Sequence, residues 1–330
     1  MQLNWWAYLA ISFSYQLIYS ETIHPVVIIG GGPAAYSAAV CTANAKLAPI
    51  VIEGTAPGGQ PVKAGEIRNW PGITEINGAE LVTNIQEHAK SLGAQIVEAE
   101  VIKINLKQKP YEIHTKKQKF LAHTVVIATG SEPVKINCPG EQEYFGKGII
   151  VCAKCDGYLF ENKPIVIVGG GYSALRELGL MLKHTKQITL INPDAGLSGP
   201  QFLVSFASDP NVTIMHNTEI KRIIGDGEKV TGVEILDKNS NQTKNIPTSG
   251  VLVGLGWKPN NALFKNQLSC NQNGEIVVTN NVTTTLPGVY AAGDVASSTK
   301  HQLFIAAGRG YEAGMAAEKY LVENELIRRF

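Results

Sequence analysis

Charged side chains are scarce in this 330-residue chain, and neither sign prevails. Asp, Glu, Lys and Arg supply 17% of it, below the ~25% usual for soluble globular proteins. Hydrophobic residues supply 44%, which excludes a disordered polyampholyte. The formal net charge of +1 lacks the basic excess that tracks a phosphate backbone, so nucleic acid is not an expected partner. No run reaches the about 18 consecutive apolar residues of a conventional membrane span. The cysteines number five, odd and few for this length, which excludes a small disulfide-framed secreted scaffold.

Glycine, by contrast, is abundant: 33 residues, above the ~7% norm, point to tight turns and close backbone approaches. At about 100–200 residues per domain the length predicts two domains. Residues 1–22 stand apart. From Trp5 to Tyr19 they are mostly aromatic and aliphatic, broken by Ser12, Ser14 and Gln16, and the first Lys or Arg is Lys46. A secretory signal normally opens on a basic residue. The segment therefore reads as an apolar extension on a cytoplasmic protein, with export or anchoring as the alternative.

From there the chain falls into a repeated pattern. Pro25-Val-Val-Ile-Ile-Gly30 is a short β-branched run ending in glycine, the mark of a strand buried on both faces. A helical stretch over 33–46 follows, then an apolar run, Pro49 to Ile52, closed by Glu53. The same order recurs from Ile165 to Val168, through Gly169-Gly170-Gly171, a helical stretch 173–183 and a strand 187–191. Further strands are expected at 96–97, 101–106, 111–115, 125–128 and 289–292, with helices at 80–92 and 306–322. Pro- and Gly-bearing stretches at 131–140 and 257–262 read as hinges. The expectation is an α/β fold of two Rossmann-like dinucleotide-binding domains, the second inserted into the first. Residues 23–132 and 261–330 would form one domain and 133–260 the other.

Three motifs carry chemistry. In Gly30-x-Gly32-x-x-Ala35, the first glycine permits the turn and the second lets backbone approach a pyrophosphate. The small third residue allows close helix–strand packing, and the helix N-terminus attracts the phosphates. Glu53, 21 residues beyond Gly32, stands where an acid binds a ribose hydroxyl. The second fingerprint, Gly169-x-Gly171-x-x-Ala174, suggests a second dinucleotide, with Ser173 also at its helix start. A 2′-phosphate there needs cations, yet no Arg or Lys lies between Gln187 and Lys221. Asp194 would repel such a phosphate, and Tyr172 sets a ring beside the pyrophosphate path. Between the fingerprints lies Cys152-Ala-Lys-Cys155-Asp156-Gly157. Two thiols in this spacing can close a reducible disulfide, whereas a zinc site wants four ligands and no second pair is present. Asp156 is either a turn cap or a proton carrier for thiolate chemistry. Cys41, Cys138 and Cys270 do not pair by spacing.

With these residues the chain resembles the low-molecular-weight, FAD-containing thioredoxin reductases, of the class-II pyridine nucleotide-disulfide oxidoreductases. The likeness runs from Ile23 to Leu321. Its pieces appear in family order: Gly30 to Ala34, Pro57-Gly-Gly-Gln60, Asn69-Trp-Pro-Gly72, Ala128-Thr-Gly130, Cys152 to Gly157, Gly169 to Ala174, and Gly293-Asp294-Val295. The resemblance implies FAD held by Gly30, Gly32, Pro33, Ala34, Glu53, Gly54, Gly58, Gly59, Gln60, Asn69, Val101, Gly130, Gly293, Asp294, Gln302 and Leu303. It implies NADPH or NADH at Gly169, Gly171, Ser173 and Ala174.

By the same resemblance, electrons would pass from the donor through FAD to the Cys152–Cys155 disulfide and on to a thioredoxin-like protein. Cys155 would face the flavin, Cys152 would attack the partner, and Asp156 would shuttle the proton. Domain rotation and a homodimer are also implied. Three positions depart from the family: Asn192-Pro193-Asp194 stands where a His-Arg-Arg cluster is usual, Tyr172 where a small or short polar residue is, and Arg176 where an acid is. Relatives with such changes take electrons from ferredoxin or another flavin, or oxidise dithiols with oxygen. A reading from another class is a flavin-bound redox sensor or scaffold without turnover.

Overall fold

The computed structural model describes residues 22–297 and 300–327, so the apolar segment before Thr22 lies outside the described residues apart from Thr22 itself. Two parallel-rich sheets organise the chain. In the first, strands run in the order Gln95–Val97, Ile50–Ile52, Ile23–Ile29, Lys119–Ile127, and the last of these pairs at its end with Val289–Ala291. Val27 lies opposite Ile50 on one side and Val125 on the other, and Val125 in turn lies opposite Val289. Every second side chain of the first strand faces an opposite layer, as the period-two geometry of a strand requires. Val26 and Ile28 pack on the helix side, Val27 and Ile29 against Phe264, Leu268 and Ile276.

The expected strand at 125–128 is the end of a longer one, Lys119–Ile127. Its first half alternates in burial because it is paired there with an antiparallel meander, Tyr111–Thr115 and Val101–Asn105. Its last four residues are covered on both faces. Only that second half looks like a buried parallel strand. Helix α1, Pro33–Asn44, and helix α2, Gly78–Ser91, follow the first sheet's strands; the Asn77 side chain caps α2 by accepting from Ala79 N at 2.9 Å. The C-terminal helix Leu303–Glu323 starts three residues before its expected position. It crosses α1 almost backbone on backbone. A Cβ on Gly310 would collide with the Ala34 carbonyl, and one on Gly314 would lie 2.7 Å from the Cys41 Cβ.

The second sheet is wholly parallel, in the order Ile149–Ile150, Gly250–Val253, Ile165–Val168, Ile188–Ile191, Val212–Met215. Beside it lies an antiparallel meander, Thr218–Gly225, Val230–Asp237 and Gln242–Pro247, which the sequence patterning above does not resolve. Its turns carry ordinary signals: the Asp226 carboxylate accepts from Glu228 N and Lys229 N, both at 2.9 Å. The chain passes between the sheets along Ser131–Pro133 and Trp257–Pro259. These two crossings pair antiparallel, Ser131 opposite Pro259 and Pro133 opposite Trp257. No helix among the described residues is long and apolar enough to cross a membrane.

Candidate active site

The first glycine turn is shaped by what surrounds each Cα. Gly30, at φ +133, has no room for a side chain against the Ala128 carbonyl, and a Cβ on Gly31 would meet Glu53 O at 2.7 Å. Gly32 is the exception: nothing lies within 4 Å of where its Cβ would point. Gly32 caps α1 without a side chain and Pro33 opens the helix, so the first-turn N–H groups face that open space. Gly58 donates to Gly31 O at 2.6 Å, and a Cβ on Gly59 would come 3.4 Å from Gly32 Cα, so the second glycine pair closes on the first. Gly54 and Gly130, both at positive φ, have nothing within 4 Å of a Cβ.

Glu53 is buried at the tip of strand Ile50–Ile52. Its Oε2 accepts from Tyr36 Oη at 2.5 Å and from Gln86 Nε2 at 2.9 Å. Burial, then the Glu53 carboxylate, pushes the Tyr36 hydroxyl well above its ordinary range, so Tyr36 stays a donor and holds the carboxylate in place. Val101 is buried and joins the core with Ile50 and Ile52. Gly293, at φ +74, brings the next acid onto the start of α1; its Cβ would lie 2.9 Å from Ala34 Cβ. Asp294 Oδ2 lies 3.3 Å from His301 Nδ1. Its Oδ1 is buried and has no hydrogen-bond partner, alone among buried side-chain polar atoms of the described residues. A buried acceptor of this kind calls for a donor from outside the chain.

The fold brings the cysteines next to Gln302, just before the C-terminal helix. Cys152 and Cys155 form a disulfide, with Cα atoms 5.3 Å apart. Cys152 caps the short helix Ala153–Asp156, its Sγ accepting from Cys155 N at 3.2 Å. Gln302 Nε2 stands 4.0 Å from each sulfur, while Gln302 Oε1 accepts from Asn69 Nδ2 at 3.4 Å. Leu303 follows as the first residue of its helix. Gln60 Nε2 reaches the crossing strand at Ser131 O, 3.1 Å away. Desolvation pushes the Asp156 carboxyl up to about 6. Burial also pushes the thiols of Cys41 and Cys138 up to about 11, so these two are poor nucleophiles.

At the second turn a Cβ on Gly170 would overlap the Asn192 carboxamide, while at Gly171 the nearest atom is Ser198 O at 3.9 Å. Helix Tyr172–Met181 begins there, with Ala174 buried, Ser173 half-buried and Tyr172 57% exposed. Asn192 is fully buried and committed: its Nδ2 donates to Gly196 O at 2.9 Å and lies 3.1 Å from His216 Nδ1, and its Oδ1 accepts from Asp194 N at 3.2 Å.

Comparison with known proteins decides the family. The family described as pyridine nucleotide-disulphide oxidoreductase matches residues 24–317. A thioredoxin reductase of Mycolicibacterium smegmatis is 35% identical over 309 residues, 93% of this chain and 99% of that protein. The thioredoxin reductase structure from Streptococcus pyogenes is 30% identical and superposes with a TM-score of 0.87, covering 92% of this chain and 100% of its own. The Lactococcus lactis thioredoxin reductase in its FR conformation, 29% identical, covers 90% of this chain and 99% of its own but scores only 0.62. The chain belongs to the pyridine nucleotide-disulphide oxidoreductase family.

Its similarity is to the thioredoxin reductases of that family, which makes it a flavin-dependent disulfide oxidoreductase. The first turn fits FAD: open space over Gly32, an unpartnered Asp294 oxygen, and the Asn69–Gln302 amide pair beneath the disulfide. The second turn fits a nicotinamide dinucleotide less well. A cation does reach it from outside that stretch, which corrects the picture drawn from residues 187–221 alone. Lys238 Nζ donates to Pro193 O at 3.1 Å, because the meander returns beside the strand end. It is already engaged, also with Glu219 at 3.6 Å. Sequence patterning missed Glu177, which accepts from Ala153 N at 2.7 Å, and Trp257, which stacks on His301 with centroids 5.1 Å apart. No local spacing signals either contact.

Proposed function

We propose that the chain reduces the disulfide of a thioredoxin-like protein through Cys152 and Cys155. The observation that carries this reading is the seating of both sulfurs 4.0 Å from Gln302, whose side chain also meets Asn69. Residues 23–132 and 261–330 form the FAD domain, and 133–260 the domain that carries the cysteines. The helix start at Gly30, Gly32, Pro33 and Ala34 holds the pyrophosphate and Glu53 the ribose. Asp294 accepts from a hydroxyl of the flavin side chain, and Gly59, Gln60, Asn69, Gln302 and Leu303 line the ring. FAD, when bound, supplies a two-electron carrier next to the disulfide.

Once reduced, Cys152 attacks the partner's disulfide to form a mixed disulfide and expel one partner thiolate. Cys155 then attacks Cys152, releasing the second partner thiol and restoring the internal disulfide. Asp156, with its carboxyl titrating near 6, gives and takes the proton at sulfur. Sulfurs held against the flavin pocket cannot also meet a protein. The paired crossings Ser131–Pro133 and Trp257–Pro259 are the hinge about which the cysteine domain turns. A score of 0.62 against 0.87 at almost equal coverage supports such a difference in domain orientation among relatives.

A homodimer is supported by an exposed apolar face on the C-terminal helix, where Phe304, Tyr311 and Met315 share one side. Three unpaired cysteines support a reducing, cytoplasmic setting.

The donor has two readings. NADPH or NADH at Gly169, Gly171, Ser173 and Ala174 follows the family, whereas the exposed Tyr172 ring and Asp194 favour a donor such as ferredoxin, another flavin or oxygen chemistry. Anaerobic addition of each nicotinamide cofactor to the purified flavoprotein separates them: bleaching of the flavin band supports the first, no bleaching by either the second. For the proposed reaction itself, Cys152→Ser abolishes thioredoxin reduction. Turnover that survives this change would overturn the assignment, and an absence of turnover in the unsubstituted protein would favour a sensor.

A further inference from the structure

We infer that Glu177 is a positioning residue whose buried charge keeps the Cys152–Cys155 pair strongly reducing, with Arg176 as the counter-charge that limits the effect. The inference rests on the assignment of these cysteines as the redox pair.

Glu177 lies on helix Tyr172–Met181, 1% exposed, and points at the active-site turn from below. Its Oε2 accepts from Ala153 N, the amide directly after Cys152, at 2.7 Å. Its Oε1 takes Arg176 Nη2 at 2.6 Å and Nε at 3.1 Å. The turn's N–H groups are the donors available to a thiolate at its start. One of them, Cys155 N, stays on the Cys152 sulfur at 3.2 Å, and Ala153 N is withdrawn by Glu177. A carboxylate bonded to the amide that follows Cys152 also repels a thiolate there electrostatically. Both effects raise the thiol pKa and disfavour the dithiolate, which lowers the reduction potential of the pair; the opposite arrangement, a stabilised reduced form, makes a dithiol pair oxidising.

The other charges around the turn have separate partners or positions. Lys154 and Asp156 lie on the turn itself. Next to it, His184 packs on Gly157 and is held by Glu161 at 2.7 Å, and Arg68 sits 4.6 Å over the Tyr158 ring. Among the described residues, Glu177 is the one charged side chain that hydrogen-bonds the backbone between the two cysteines, and Arg176 acts on it through Glu177.

The test uses two variants of the holoenzyme, Glu177→Gln and Arg176→Gln. Glutamine keeps an acceptor for Ala153 N, so the turn persists while the charge is gone. Arg176, with its side chain 45% exposed, can be replaced without opening the core. Each protein is equilibrated anaerobically in dithiothreitol redox buffers, quenched, and its thiols counted by alkylation mass. The pH dependence of alkylation is measured on the reduced form.

For Glu177→Gln the dithiol:disulfide ratio rises about tenfold, ~30 mV, above the thiol pKa, and alkylation sets in at lower pH. For Arg176→Gln both readouts move the other way, about threefold, the smaller change reflecting solvent screening of the exposed guanidinium. No shift in either variant, or shifts of the same sign in both, would overturn the inference, since a purely structural contact has no reason to give opposite signs. If Cys152 and Cys155 of the unsubstituted protein do not titrate as a pair, the site assignment fails instead.

Discussion

Replacing Asp156 by Asn should separate two consequences of one half-buried carboxyl. Desolvation lifts this group to about 6 from an ordinary value of 3.8. At about pH 7 roughly a tenth of it then carries a proton, against less than a thousandth for an unperturbed carboxyl. That standing fraction suits a group that must both donate to and accept from sulfur. Asp156→Asn keeps the shape and removes the proton, so reduction of a thioredoxin-like substrate should fall about 10²–10⁴-fold. The limb of the pH–rate profile with a midpoint near 6 should vanish with it.

Stability should move the opposite way to activity. A carboxyl raised on folding binds its proton more tightly in the native state, so its ionisation destabilises the fold as pH climbs from about 4 to about 6. This is the reverse of a salt-bridged acid. The uncharged Asn escapes that loss, and its melting-temperature advantage should be absent near pH 4 and full by about pH 7. The assays are steady-state turnover from about pH 5.5 to about 8.5, and thermal unfolding from about pH 4 to about 7 on the flavin-loaded protein. An unchanged profile midpoint in the variant, or a melting advantage independent of pH, would refute the argument.

Two further substitutions probe the scaffold. Asp294→Ala removes the buried acceptor that lacks a partner in the chain, and FAD should bind about tenfold to a hundredfold more weakly, as read by flavin fluorescence on dilution. Gly310→Ala places a methyl against the Ala34 carbonyl and should cost about 1–3 kcal/mol in thermal unfolding, with loss of bound flavin. Gly308→Ala on the same helix meets nothing within 4 Å and should be neutral or slightly stabilising, which makes it the control.

Some of this molecule follows from residue order alone. Both glycine turns, the strands before them and the acid after the first are local matters, since a buried parallel strand needs a β-branched run and a pyrophosphate turn needs glycine at set spacing. The disulfide is equally local: two cysteines three apart close within one turn of chain. Tertiary structure decided the contacts between residues far apart in sequence. Gln302 meets the two sulfurs, Glu177 meets the amide beside Cys152, and Lys238 reaches a strand end that seemed bare of cations. Each depends on how one sheet is placed against another or on where a meander returns, and no periodicity records that. Spacing along the chain specifies a turn, whereas an electrostatic neighbourhood is set by packing across it.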